Sequence, residues 1–133
     1  MTKLHSIALL VLLLVTTSCK KEKDNFTHVK ESCGLEGGNI LNVHEATGTL
    51  LYKQVVQGTD RYEKGIFIGN SSIEKVKLPL KICNFPFEQF PSLEIGDALE
   101  VVFSARIEML PETVDASHLR MEIHKIKTIH NKN

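Results

Sequence analysis

The chain has 133 residues, with 16 lysines and arginines against 16 aspartates and glutamates, and it lacks tryptophan. This length is typical of one small domain. Because the charges balance, the sequence has no strongly basic region of the kind that binds nucleic acid, and we predict no nucleic-acid partner. An aromatic content of 6% also leaves few rings for stacking on sugars.

The N-terminal residues form an export signal. Lys3 precedes an apolar run over 7–15, and the small residues Thr16-Thr17-Ser18 lead into Cys19. The segment resembles a bacterial lipoprotein signal, in which the cysteine thiol receives a diacylglycerol and becomes the new N-terminus after cleavage. The resemblance implies a cleaved signal helix over 1–18, lipidation of Cys19 and anchoring to a membrane of the bacterial envelope, with the outer membrane expected.

Two alternatives to lipidation remain open. The apolar run is about nine residues long, well under the roughly 20 that cross a bilayer as a helix, which disfavours a permanent transmembrane anchor. A plain secreted protein in which Cys19 is incidental is the other alternative.

Cleavage after residue 18 leaves 115 residues and a formal charge of −1, since Lys3 is lost and all 16 acidic residues stay. Cys33 and Cys83 are then the remaining cysteines. Because an exported chain enters an oxidising compartment, this even number predicts one disulfide, closing a loop of roughly 50 residues. Two free buried thiols are the alternative.

Residues 20–38 are predicted to form a flexible tether between the lipid and a domain over 39–133. The charged run Lys20-Lys21-Glu22-Lys23-Asp24-Asn25 has no apolar periodicity, which is typical of a solvated linker.

The domain then reads as a succession of strands. Residues 46–56 and 62–68 are rich in β-branched and aromatic types and flank a turn cluster. A third strand ends at Ile82, with Val76, Leu78 and Leu80 in phase with it. Proline cannot donate to a ladder, so Pro79 predicts an edge strand.

Residues 98–110 show the clearest period of two. Leu99, Val101, Phe103, Ala105, Ile107 and Met109 share one face, and Glu100, Ser104, Arg106 and Glu108 share the face predicted to meet water. The last strand spans about 119–129, and its break in phase predicts a bulge near His124-Lys125. Short helices are predicted at 86–92 or 112–117. Five short strands indicate an all-β domain, a small barrel or sandwich.

A second resemblance covers roughly residues 45–129. Asn84-Phe85-Pro86-x-x-x-Phe90, followed by Gly96-x-x-Leu99-x-Val101-x-Phe103-Ser104, is similar to a pattern in small lipoproteins of Bacteroidota. In that pattern an Asn-Leu-Pro-x-x-Phe turn leads into Gly-x-x-Val-x-Phe-Ser-Gly. The resemblance implies a five-stranded OB-like β-barrel and a bacterial envelope setting, and it implies no mechanism.

The segment 83–91 carries Phe85, Phe87 and Phe90. These rings are interpreted either as a hydrophobic plug over one end of the sheet or as an exposed patch that contacts a partner.

Other residues give weaker hypotheses. The histidines lack ligand spacing, so we predict no metal site and no cofactor. Lys75, Lys77 and Lys81 suggest an anion site less strongly than a charged strand edge. Ser104 with Asp115 and a histidine is the hydrolase alternative, although no nucleophile-elbow pattern surrounds Ser104.

Taken together, the sequence predicts a lipid-anchored, non-enzymatic module that binds a protein or a glycan at the envelope. The alternative is a small inhibitor or accessory factor that acts on an envelope or extracellular enzyme through the 83–91 segment.

Overall fold

The computed structural model describes residues 25–57 and 61–129, and the regular secondary structure of this part of the chain is almost entirely strand. In chain order the elements are β1 (Thr27–His28), β2 (Ile40–Gln57), β3 (Arg61–Gly69), β4 (Leu80–Ile82), a 3-10 helix (Phe87–Gln89), β5 (Ala98–Glu108) and β6 (Leu119–Thr128). The predicted signal segment 1–18 and the predicted lipidation site Cys19 lie outside the described residues.

Five of the strands close into a barrel. Neighbouring strands follow the order β6-β4-β3-β2-β5, and β5 pairs again with β6. The β4–β6 pairing is parallel and the other pairings are antiparallel. This architecture confirms the predicted all-β, five-stranded OB-like barrel. Closure removes the free edges that an open sheet of this size would expose.

One hydrophobic core fills the barrel. Its largest fully buried side chains are Phe103, Leu50, Ile68, Leu80, Ile107, Met121, Ile123, Ile126 and Val101. The alternation predicted for 98–110 is confirmed over β5, where Val101, Phe103 and Ile107 point into the core.

Two of the strand pairs contain bulges. In β2 the register against β5 shifts between Val43 and Ala46, and Glu45 adopts a φ of 50°. Between β5 and β6, Ser104 pairs with Lys125 and Ala105 pairs with Ile123, so His124 is the extra residue of β6. The bulge predicted near His124-Lys125 is therefore confirmed.

The prediction of an edge strand at Pro79 is wrong. β4 is only three residues long and lies inside the sheet, between β3 and β6. Pro79 precedes the strand, where its carbonyl accepts the N–H of Leu119 at 2.9 Å, so its missing donor costs no ladder bond. Residues 73–76 form a turn closed by Val76, and Leu78 is exposed.

The part of the predicted tether that the structure describes also differs from expectation. Thr27 and His28 pair with β6 as an additional strand. Further along, Leu35 is only 7% exposed. The segment 25–35 therefore lies on the barrel, because its pairing and its buried leucine fix it there, and the folded unit begins before residue 39.

The 83–97 connection crosses the end of the barrel at which β4 ends and β5 begins. Its 3-10 helix falls inside the predicted helical window 86–92. The other window, 112–117, contains a turn and bends instead, and the turn is closed by the bond from the Val114 N–H to the Pro111 carbonyl.

Candidate functional site

A disulfide joins the N-terminal segment to the end of β4. Cys33 and Cys83 are bonded, their Cα atoms are 6.0 Å apart, and 50 positions separate them in the chain. This Cα separation is ordinary for a disulfide. The predicted pairing is confirmed, and it holds residues 31–35 beside the segment that follows β4.

Asn84, directly after the disulfide, connects three parts of the chain. Its side-chain amide donates to the carbonyl of Glu31 at 2.8 Å and to that of Ile123 at 2.9 Å. Its side-chain oxygen accepts the N–H of Ile123 at 2.8 Å. Because this side chain is only 8% exposed, these bonds fix the N-terminal segment and the 83–91 segment to β6.

The same region buries a carboxylate that sequence patterning did not identify. Glu122 lies on the outer face of β6 but is only 4% exposed. It accepts hydrogen bonds from the Ser32 hydroxyl and the Cys33 N–H, each at 3.0 Å, and lies 3.8 Å from the Arg106 guanidinium. Alternation along β6 places Glu122 outward; the crossing segment that buries it comes from a distant part of the chain.

The three phenylalanines of the 83–91 segment have different environments. Phe85 is 8% exposed and belongs to the core, and Phe90 packs partly buried against it. Phe87, on the 3-10 helix, is 47% exposed. The plug interpretation therefore describes Phe85 and Phe90, while Phe87 presents its ring to the surface.

Phe87 is held by two other rings. Its ring centroid lies 4.9 Å from that of Phe85 in an edge-to-face arrangement and 5.5 Å from that of Tyr52. Tyr52 is itself fixed, because its backbone bonds to Gly96 and Asp97 in the turn before β5. These contacts restrict the motion of an exposed aromatic side chain.

A cleft of about 470 Å³ opens beside Phe87. Residues 28–31 form one wall and residues 84–89 form the other. Its polar side chains are His28, Lys30, Glu31, Asn84, Glu88 and Gln89. We call it the 84–89 cleft. One exposed ring next to hydrogen-bonding groups can contact an apolar group and its polar neighbours together.

The other sequence hypotheses fall on separate parts of the fold. Ser104 is 6% exposed, and its hydroxyl accepts the N–H of Glu45 at 2.9 Å. The prediction that Ser104 faces water is therefore wrong, because the β2 bulge covers it. Lys81 lies 3.6 Å from Glu63, whereas Lys75 belongs to the turn after β3.

Within residues 25–57 and 61–129, no three histidine, cysteine, aspartate or glutamate side chains are grouped so that they could hold a metal ion. No helix in this described part is long and apolar enough to cross a membrane. Comparison of the chain with protein-family models, curated proteins and solved structures found no match.

Proposed function

We propose that the protein is a lipid-anchored module of the bacterial envelope that binds a protein or a glycan and has no catalytic activity of its own. The lipid anchor rests on Cys19 and the signal that precedes it. The binding contact is centred on Phe87 and the 84–89 cleft.

The exposure of Phe87 is the observation that carries the binding proposal. Apolar rings of this size are usually buried in a small domain, and this chain has only eight aromatic residues of the Phe and Tyr types. A ring that stays 47% exposed while two neighbours hold it in place loses little conformational entropy when a partner covers it. Exposed and immobilised aromatic side chains are common centres of interface energy.

The support beneath Phe87 favours the same function. The Cys33–Cys83 disulfide and the three hydrogen bonds of Asn84 hold both walls of the cleft against the barrel. A contact surface built on such a support changes little on binding. Glu88 and Gln89 add hydrogen-bonding groups at its rim.

The same observation supports a second candidate, an inhibitor or accessory factor. A projecting ring on a fixed loop can enter an apolar pocket of an enzyme and block it, as rigid inhibitor loops do. In this function Phe87 is the inserted residue, and the target is an envelope or extracellular enzyme.

Capture of the partner from detergent-solubilised envelopes tests the binding function. The bait is the full chain, compared with Phe87→Ala and with the control Val114→Ala, which alters a side chain of similar exposure (48%) in the β5–β6 loop. We expect one partner to be enriched by the wild type and the control, and to be lost with Phe87→Ala. Equal recovery by all three chains would overturn the proposal.

The captured partner separates the two candidates. An enzyme whose activity falls when the purified protein is added, and does not fall with Phe87→Ala, supports the inhibitor function. The anchor is tested separately, because Cys19→Ser should abolish incorporation of labelled palmitate; continued labelling of this variant would exclude Cys19 as the lipidated residue.

A further inference from the structure

Besides the 84–89 cleft, a second surface of the barrel combines an aromatic ring with two ammonium groups. Phe26 directly precedes β1, and the Nζ atoms of Lys125 and Lys127 from β6 lie 4.4 Å and 4.5 Å from its ring centroid. Next to them, Ile129 is 40% exposed. We call Phe26, Lys125, Lys127 and Ile129 the Phe26 face.

We propose that the Phe26 face docks on an anionic phospholipid surface; this inference rests on the proposed lipid anchor at Cys19. The ring and the isoleucine enter the boundary between headgroups and acyl chains, while the two ammonium groups bind lipid phosphates. Long lysine side chains suit this position, because their stems lie along apolar groups and their charges reach the headgroups.

Chain length favours the Phe26 face over other parts of the surface. Phe26 lies seven positions after Cys19, and a fully extended chain over seven positions spans at most about 25 Å. The pairing of Thr27 and His28 with β6 then fixes the point where the chain meets the barrel. A lipid on Cys19 therefore keeps this face close to the bilayer.

The charges of the face are compatible with an anionic surface. Glu45 lies 3.0 Å from Lys125 and offsets that charge. Among the described residues Lys127 makes no ion pair with a carboxylate, so its charge remains available to a phosphate. Lysines near an anionic bilayer each contribute a modest attraction that salt screens.

Val114, at the end of the barrel opposite the Phe26 face, provides a control position within the same protein. β1 pairs with the C-terminal part of β6, so Phe26 lies next to Lys127 near the end of that strand. Val114 lies in the loop that precedes β6 and is 48% exposed. The length of β6 separates Val114 from Phe26. Docking through the Phe26 face therefore leaves Val114 in water.

Because the chain lacks tryptophan, the fluorescence of one introduced tryptophan reports on its own position alone. Phe26→Trp and Val114→Trp each introduce a single reporter into the full lipidated protein, which is then reconstituted into vesicles of phosphatidylcholine and phosphatidylglycerol. Quenching by brominated acyl chains measures contact with the bilayer. We expect Phe26→Trp to be blue-shifted and quenched, and Val114→Trp to be unchanged.

Matched lysine variants test the charge contribution. Lys127→Gln should reduce quenching of Phe26→Trp, whereas Lys53→Gln should leave it unchanged. Lys53 is a suitable control because it also lies over a ring, with its Nζ 4.8 Å from the centroid of Phe67 on another face of the barrel. A lipidated protein in which Phe26→Trp behaves like Val114→Trp would overturn the inference while the anchor stands.

If Cys19 carries no lipid, a binding experiment with the unlipidated protein tests the inference. The Cys19→Ser chain is then sedimented with anionic or with neutral vesicles. Stronger binding to anionic vesicles, weakened about fivefold by Lys127→Gln and unaffected by Lys53→Gln, supports the inference even though the anchor has failed. Equal binding to both vesicle types overturns it.

Discussion

The hydroxyl of Ser104 completes the β2 bulge. Glu45 has a φ of 50°, which is uncommon for a residue with a side chain, and its N–H points away from the regular ladder. Ser104 accepts that N–H at 2.9 Å. The serine therefore has a structural task that explains why a polar side chain on the outer face of β5 is buried.

Substitution of Ser104 should consequently lower stability. Ser104→Ala leaves the Glu45 N–H without its acceptor, and we expect a loss of about 1 kcal/mol in the free energy of unfolding. Phe103→Ala, which empties the centre of the core, should cost about 3–5 kcal/mol. Urea unfolding measures both. Ser92→Ala, in an exposed turn, is the control; a Ser104→Ala chain as stable as that control would contradict the role of the hydroxyl.

The Glu45 carboxyl at the same bulge should make the stability of the protein depend on pH. The hydrogen bond from Lys125, followed by the charge of that lysine, lowers the pKa of the Glu45 carboxyl from its ordinary value of 4.5. Because the folded-state pKa is the lower one, the stabilising contribution is complete above the unfolded pKa and is lost as pH falls through the folded pKa.

Lys125→Met should return the Glu45 pKa toward 4.5, and carbon-detected NMR titration of the carboxyl measures the change. Lys53→Met removes a lysine that contacts Phe67 instead and should leave the titration of Glu45 unaltered. An unchanged Glu45 titration in Lys125→Met would mean that another group sets its pKa.

At the scale of elements, Gly48 allows three strands to approach closely. It pairs with Val101 of β5, and a Cβ added there would lie 2.5 Å from Cγ2 of Ile68 and 3.2 Å from the backbone oxygen of Gly69. The second contact is backbone, so it has little freedom to move. A side chain at this position must separate β2 from β3.

We therefore expect Gly48→Ala to destabilise the barrel by about 1–3 kcal/mol, the usual cost of overpacking a core. Gly38→Ala is the matched control, because a Cβ at Gly38 has no atom within 4 Å. Thermal unfolding of the two variants measures the difference. Equal midpoints would show that β2 and β3 can separate without loss of packing.

The elements that sequence predicted best are those whose signal is local. The alternation over 98–108 identifies the buried side of β5, and the change of phase at Ile126 reflects the extra residue His124 in β6. β4 was predicted less well. Apolar residues recur with the right period from Val76 onward, but a turn occupies 73–76 and only Leu80–Ile82 join the sheet.

The candidate site depends on contacts that no local pattern reports. The pairing of Cys33 with Cys83 could be predicted from the number of cysteines together with the predicted export. The burial of Glu122 could not be predicted in this way, because it arises where a segment about 90 positions away in the chain crosses β6. Likewise, spacing alone cannot tell that Phe87 remains exposed while Phe85 fills the core; the backbone turn after Asn84 decides this.

At the scale of the whole molecule, the N-terminal segment is part of the folded unit. It supplies β1, the buried Leu35, one half of the disulfide and two donors to Glu122. It also forms one wall of the 84–89 cleft. The chain that leads from Cys19 to the barrel is thus continuous with the candidate binding site.

Two truncations test this integration. A chain beginning at residue 25 keeps every described contact, and we expect it to unfold at the same denaturant concentration as the full chain. A chain beginning at residue 39, the boundary suggested by composition, should be less stable by about 6 kcal/mol. The disulfide accounts for about 4 kcal/mol of that loss in the chain-entropy account, and burial of Leu35 accounts for about 2 kcal/mol.

A loss of that size approaches the whole stability of a small domain, so the shorter chain should be partly unfolded in buffer. Cys33→Ser with Cys83→Ser in the chain beginning at residue 25 separates the two contributions, because β1 and Leu35 remain in sequence while the covalent bond is absent. This double variant should have an intermediate stability. If the chain beginning at residue 39 were as stable as the longer one, the barrel would be complete without its N-terminal segment. In that case only β6 and the 83–97 connection would support Phe87 and the 84–89 cleft.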